Sequence, residues 1–213
     1  MLEINNVSKT FKKGSEEFVA LKDVTIEVKK GDYVSVTGSS GSGKSTLLNA
    51  IGGLIRPDSG KIIYRGESIY DQNGTYLNHY RKKVVGFMFQ QFHLMPYLTV
   101  TENISLSCFE KSRCTAIDAY LEKCSLVEVK DKYPSELSVG EKQRAAFIRA
   151  IISDPELLLA DEPTGNLDPR NSGILMSLVE EYHQTGGTVL LVSHDPVAAK
   201  YSNLNIRIES GRI

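Results

Sequence analysis

Gly38-Ser39-Ser40-Gly41-Ser42-Gly43-Lys44-Ser45 lies between a short β-prone run, residues 33–37, and a helical stretch from about 44 to 51. Glycines here let the backbone curl until successive N–H groups point inward, an arrangement that holds phosphate oxygens. The helix that follows turns its positive end toward the same anions. A flexible Gly/Ser turn is the plain alternative, but strand before and helix after favour the phosphate loop, G-x-x-x-x-G-K-[ST]. Lys44 is then placed to reach the β- and γ-phosphates of a nucleotide, and the Ser45 hydroxyl to coordinate magnesium. The binding set is Gly38, Ser39, Ser40, Gly41, Ser42, Gly43, Lys44, Ser45 and Thr46.

A second motif supplies acids. Leu157-Leu158-Leu159-Ala160 is a fully apolar strand that ends in Asp161-Glu162. Asp161 at the tip suits a metal-linked position, acting through water on the magnesium held at Ser45. Glu162, one step further, suits a carboxylate that polarises water for in-line attack on the γ-phosphate. Polar residues end many strands, so this motif draws most of its force from the first.

The rest of the chain arranges these motifs. Alternating apolar residues predict strands at 2–7 and 21–28 with a turn at Lys12-Lys13-Gly14-Ser15, and further short strands at 61–64, 84–89, 157–160 and 189–192. From about 101 to 152 the spacing is helical, interrupted at Pro134. Asp168-Pro169 and Asp195-Pro196 each supply an N-cap and a first-turn proline, the former for a helix reaching about Gln184. Short apolar strands alternating with helices predict an α/β fold with a mainly parallel sheet covered on both faces. Ligands in such folds sit at the carboxyl ends of strands, where both motifs lie.

Composition sets bounds. The 213 residues suit one compact domain, and 41% hydrophobic residues suffice for a core. Charged residues make up 24% but cancel to a net charge of -1, which argues against a general nucleic-acid binder or a polybasic anchor. No apolar run reaches the roughly 18–20 residues of a membrane span, and residues 1–6 lack the features of a signal peptide. A cytosolic chain is expected, touching a membrane only through another protein. Cys108, Cys114 and Cys124 form no C-x-x-C pair, and His79, His93, His183 and His194 do not complete a zinc site. Reduced, mostly buried thiols are expected.

With the two motifs in place, the chain resembles the ABC-transporter ATPases over nearly its full length. Leu137-Ser138-Val139-Gly140-Glu141-Lys142-Gln143-Arg144 is similar to their signature sequence. Gln90 corresponds to the Q-loop glutamine, Asn166-Leu167-Asp168 to the D-loop and His194 to the switch histidine, while Phe11 stands where an aromatic stacks on adenine. The resemblance implies a P-loop NTPase with ATP and Mg2+ as its cofactors. It implies a RecA-like core at 1–100 and 153–213, including an N-terminal antiparallel β subdomain, and an inserted α-helical subdomain at about 101–152 carrying the signature. It also implies a second copy of the chain in an ATP-dependent, head-to-tail dimer. Ser138 and Gly140 would then meet the γ-phosphate held by the other copy, and Asp168 counts among the nucleotide-binding residues. The implied catalytic set is Glu162, His194 and Gln90; the implied metal set is Ser45, Gln90 and Asp161.

Residues 86–99, followed by Glu102-Asn103, are similar to the ATPases of lipoprotein release, macrolide export and antimicrobial-peptide export. That similarity implies an integral-membrane permease of the MacB/FtsX type and a peripheral position on the cytoplasmic face. Phe92, Leu94, Met95, Tyr97 and Leu98 could form part of a groove for a permease helix, or be core under a loop. A nucleotide-dependent scaffold of the FtsE kind and a soluble, non-transport ATPase are the competing readings. Val139 departs from the family's usual glycine, and its β-branch is expected to restrict dihedrals and close approach there.

Overall fold

Leu2–Lys13 (β1) and Glu16–Val28 (β2) form an antiparallel hairpin whose register runs from Leu2↔Val28 to Lys13↔Glu16. Both strands outrun their expected bounds, because pairing continues past the alternating apolar positions toward Gly14. The computed structural model describes residues 1–14, 16–193 and 200–213. His194 and the helix expected after Asp195-Pro196 therefore lie outside the described residues.

Beyond the hairpin come Tyr33–Thr37 (β3), Lys44–Ile51 (α1), Ser59–Tyr64 (β4) and Glu67–Ser68 (β5). Gly74–His79 (α2) runs into a π-helical turn, Tyr80–Val84, which feeds Val85–Met88 (β6). The helices Val100–Ser105 (α3), Lys111–Cys114 (α4), Ile117–Lys123 (α5) and Val139–Ile151 (α6) follow. Leu157–Asp161 (β7), Pro169–Gln184 (α7), Thr188–Val192 (β8) and Leu204–Arg207 (β9) complete the order.

Two sheets result. One is antiparallel, in the order β2-β1-β4-β5, and the other parallel, in the order β6-β7-β8-β3-β9. The fold is α/β with an antiparallel β subdomain. Side chains of the parallel sheet alternate between two cores, as a period of two requires. Val34, Val36, Leu157, Leu159, Leu190 and Val192 face β1, β2, β4 and α1. Tyr33, Leu158, Ala160, Val189 and Leu191 face α6, α7 and the helices that precede them. Full burial of each such Leu or Val contributes about 1.5–3 kcal/mol, so the strands that carry the site are held from both sides.

Local chemistry sets the helix starts. Thr99 with Glu102 and Ser138 with Glu141 form capping boxes for α3 and α6, and Asp168 caps α7 ahead of Pro169. Among the described residues no helix is long and apolar enough to cross a membrane. The cysteines correct one expectation. Cys124 is a buried free thiol, but Cys108 and Cys114 are joined as a disulfide with 5.6 Å between their Cα atoms.

Candidate active site

The parallel order brings the carboxyl ends of β6, β7, β8 and β3 side by side. Val36 of β3 and Asp161 of β7 both register with Val192 of β8, so the loops leaving β3 and β7 start at one level. Between them opens a cleft of about 250 Å³. Its walls are Ser40, Gly41 and Gly43 of the glycine-rich loop, Lys44, Ser45 and Thr46 of α1, and Phe18, Gln90 and Glu162.

The loop has the features of an anion cradle. Gly43, the residue before α1, has φ 107° and no side chain caps the helix, whose first turn carries no acid. A Cβ on Gly43 would stand 2.1 Å from the Ala20 carbonyl oxygen, so glycine is required for space as well as conformation. The first N–H groups of α1 have no side-chain acceptor and face the cleft with the positive end of the helix. Lys44 is 5% exposed. Its ammonium donates to the carbonyl oxygens of Gly38 at 2.9 Å and Ser39 at 2.8 Å. The Ser42 hydroxyl oxygen is buried without a hydrogen-bond partner.

The acids stand opposite. The Ser45 hydroxyl donates to Asp161 Oδ1 at 3.0 Å, which joins the two motifs directly. Burial raises the Asp161 carboxyl above its ordinary pKa, opposed by the Ser45 hydrogen bond, while the Glu162 charge adds to the rise. Glu162 has φ 44°, a left-handed conformation that costs a non-glycine residue about 1–3 kcal/mol and recurs where function fixes a side chain. Its N–H donates to the Val192 carbonyl at 2.9 Å, and its carboxylate accepts from Gln90 Nε2 at 3.2 Å. Gln90, two residues beyond β6, thus reaches the acid at the end of the neighbouring strand.

Ser138, Gly140 and Asp168 lie elsewhere: none of them lines this cleft. They belong to a separate polar cluster. Ser138 Oγ accepts from the Glu141 N–H at 3.3 Å and donates to the Glu141 carboxylate at 2.6 Å. Asp168 accepts from the backbone and side-chain amides of Asn171 at 3.0 and 2.6 Å, and Arg144 donates to Asn171 Oδ1 at 2.9 Å. A Cβ on Gly140 would meet that same Oδ1 at 2.4 Å. Because Asp168 and Arg144 hold the Asn171 amide, it cannot simply turn aside. Gly140→Ala is therefore expected to push α6 from α7, destabilising the fold by about 1–3 kcal/mol. Urea unfolding measures this, and an unchanged midpoint would show that the contact relaxes freely.

Residues 21–165 match the family described as ABC transporter. The chain belongs to that family. The ABC transporter ATP-binding protein YvrO of Bacillus subtilis (strain 168) is 39% identical over 218 residues, covering 100% of this chain and 95% of YvrO. The bacitracin export ATP-binding protein BceA of Halalkalibacterium halodurans is 38% identical over 219 residues, covering 100% of this chain and 87% of BceA. Among solved structures, the dimeric post-hydrolysis state of the ATP-binding cassette MJ0796, bound to ADP and Pi, matches with a TM-score of 0.93 at 35% identity. That match covers 100% of this chain and 96% of MJ0796. This chain is thus an ABC ATPase cassette, which binds and hydrolyses ATP to energise a transporter.

Set against the family pattern, the cassette carries one aromatic that the sequence did not single out. Phe18 lines the cleft and Phe11, its partner across the β1–β2 ladder, does not; both rings are exposed, and the Lys9 ammonium stands 5.7 Å from the Phe11 ring centre. The pairing puts both rings on one face of the hairpin, so the tertiary placement of the hairpin beside the glycine-rich loop is what brings Phe18 to the cleft. Val139 opens α6 and is absent from the positive-φ residues, so its β-branch meets no backbone strain. It is 44% exposed, which leaves close approach as the constraint it imposes.

Proposed function

We propose that this cassette binds MgATP in the cleft of one copy and completes the site with the α6 start of a second copy. The observation that carries this reading is the separation of the two halves: Ser138, Gly140 and Asp168 are absent from the cleft that holds Lys44 and Glu162. Ser138 sits at the N-terminus of α6, where a hydroxyl and N–H dipoles favour an anion. A head-to-tail pair would bring that end to the γ-phosphate of the other copy.

The donors fit magnesium. Ser45, Asp161 and Gln90 offer the hard oxygens this cation takes, and Ser45 and Asp161 already touch. Bound with the nucleotide, magnesium would neutralise charge on the phosphate oxygens. The work of the chain follows from its own groups. Lys44 and the α1 N–H groups bind and orient the phosphates. Glu162 accepts hydrogen bonds and would hold the attacking water in line, oriented by Gln90. His194 is proposed to contact the γ-phosphate, and Phe11 to stack on adenine with Phe18 forming the nearby wall. Loss of the γ-phosphate removes the charge shared across the interface and lets it reopen.

We assign the cassette to an exporter or mechanotransmission complex with an integral-membrane permease, on the cytoplasmic face. The division into a core, 1–100 with 153–213, and a helical part at about 101–152 serves that coupling. A cavity of about 410 Å³ beside Phe92, Leu94 and Pro96 offers a seat for a permease helix, with Tyr97 (71% exposed) close by. The test is MgATP hydrolysis against protein concentration. The rate per subunit is expected to rise with concentration toward a plateau; a rate independent of concentration at monomeric mass would overturn the shared site.

A further inference from the structure

The disulfide joins the end of the segment after α3 to the end of α4, enclosing residues 109–113. Its Cα separation of 5.6 Å lies within the range that a disulfide spans without backbone movement. Both cysteines are half-buried, within reach of small reagents. The third, Cys124, is a contrast: it is 1% exposed, and burial pushes its thiol up to about 12. A thiol held neutral in this way is a poor nucleophile.

The enclosed loop is tied to its surroundings. Phe109 lies under the Lys82 ammonium, 5.5 Å from the ring centre; Glu110 pairs with Lys83, and Arg113 with Asp154. Ser107 and Phe109 form one wall of a cavity of about 280 Å³. Phe89, His93 and Arg149 form another, and Arg149 donates to the carbonyl oxygens of Phe92 and His93 at 2.7 and 2.6 Å. The loop therefore abuts the segment that begins at Phe89 and Gln90. None of the residues lining this cavity belongs to the ATP cleft, although Gln90, next to Phe89, does.

We propose that Cys108 and Cys114 are a reversible thiol–disulfide modification site that stiffens this wall of the cavity when oxidised. The co-reactant is a low-molecular-weight disulfide, RS–SR. One cysteine thiolate attacks it, forming a mixed disulfide and releasing RS⁻. The second cysteine thiolate attacks the protein sulfur of that mixed disulfide and expels the other RS⁻. The two protons lost by the cysteines end on the two RSH products, so one disulfide is exchanged for another. A closed loop this short removes freedom from the segment whether or not the rest of the chain changes.

The full chain, reduced and then treated with oxidised glutathione, tests the site directly. Thiol titration in denaturant is expected to fall from the full complement of three cysteines to one. Trypsin cuts after Lys111 and Arg113, so the bond should appear as two peptides joined through Cys108 and Cys114. Amide exchange across 108–114 is expected to slow by about tenfold on oxidation, the local opening being restrained. Cys114→Ser should instead retain glutathione at Cys108, because the resolving thiol is gone. Persistence of three thiols, a stable glutathione adduct on the wild type, or pairing through Cys124 would overturn the site. Closure without slower exchange would overturn the stiffening.

Discussion

Glu162→Gln is expected to lower MgATP turnover by about 10²–10⁴-fold, the range a positioned general base contributes, while nucleotide binding survives. The amide keeps the shape of the carboxylate but not its charge or its basicity. The surroundings suggest that little else will move. The Glu162 N–H bond to Val192 holds the backbone, and the left-handed φ of 44° is a property of the chain rather than of the carboxylate. The Gln90 contact, at 3.2 Å, becomes amide to amide and can be kept by turning one of them. An ATP-bound pair that cannot hydrolyse should persist, so light scattering with saturating MgATP should report a dimer. Phosphate release gives the rate and calorimetry the affinity. Turnover within a few-fold of wild type would remove Glu162 from the chemistry, and loss of nucleotide binding would show that the carboxylate serves the cradle instead.

How much of this was legible in the sequence depends on whether a contact is local. The glycine-rich loop, the apolar β7 with its acidic end and the capped start of α7 could be read directly, because their causes lie within a few residues. The end of α7 at Gln184 was equally local. By contrast, α2 and the π-helical turn after it went unread. That segment depends on Tyr70 and Tyr80. The Tyr70 hydroxyl lies 2.7 Å from the carbonyl oxygens of both Ala50 and Ile55, sharing its one proton between them, and the Tyr80 hydroxyl donates to the Ile51 carbonyl. No local periodicity signals such contacts. Phe18 was missed for a similar reason, since only the tertiary placement of the β1–β2 hairpin beside the glycine-rich loop brings it to the cleft. Cys108 and Cys114 read as thiols because they form no C-x-x-C pair and lie in a stretch whose spacing is helical. The break between α3 and α4 folds them together. At Gly140 the family pattern identified the residue but not the neighbour, Asn171, that requires it.

The second large effect concerns Lys44. Lys44→Ala is expected to raise the dissociation constant for ATP by about 10–150-fold, the worth of one hydrogen bond to a charged group at about 1.5–3 kcal/mol. In the cleft the ammonium is already spoken for by the Gly38 and Ser39 carbonyls, at 2.9 and 2.8 Å. An ammonium has three donors, so one more acceptor can be taken without breaking either bond. The lysine is therefore pre-positioned, and a phosphate oxygen gains a full charge in a site where Lys44 is only 5% exposed. Alanine removes the charge and releases the loop carbonyls together. The ATP-induced rise in melting temperature should shrink accordingly, since stabilisation by a ligand follows its dissociation constant. Lys44→Arg discriminates the two contributions. It keeps the charge but replaces a compact point donor with a planar fork that fits the loop carbonyls poorly. If arginine restores affinity, charge alone governs the cradle; if it fails as alanine does, the loop geometry set by Lys44 is what the phosphates recognise. ATP affinity unchanged in both variants would detach Lys44 from the nucleotide altogether.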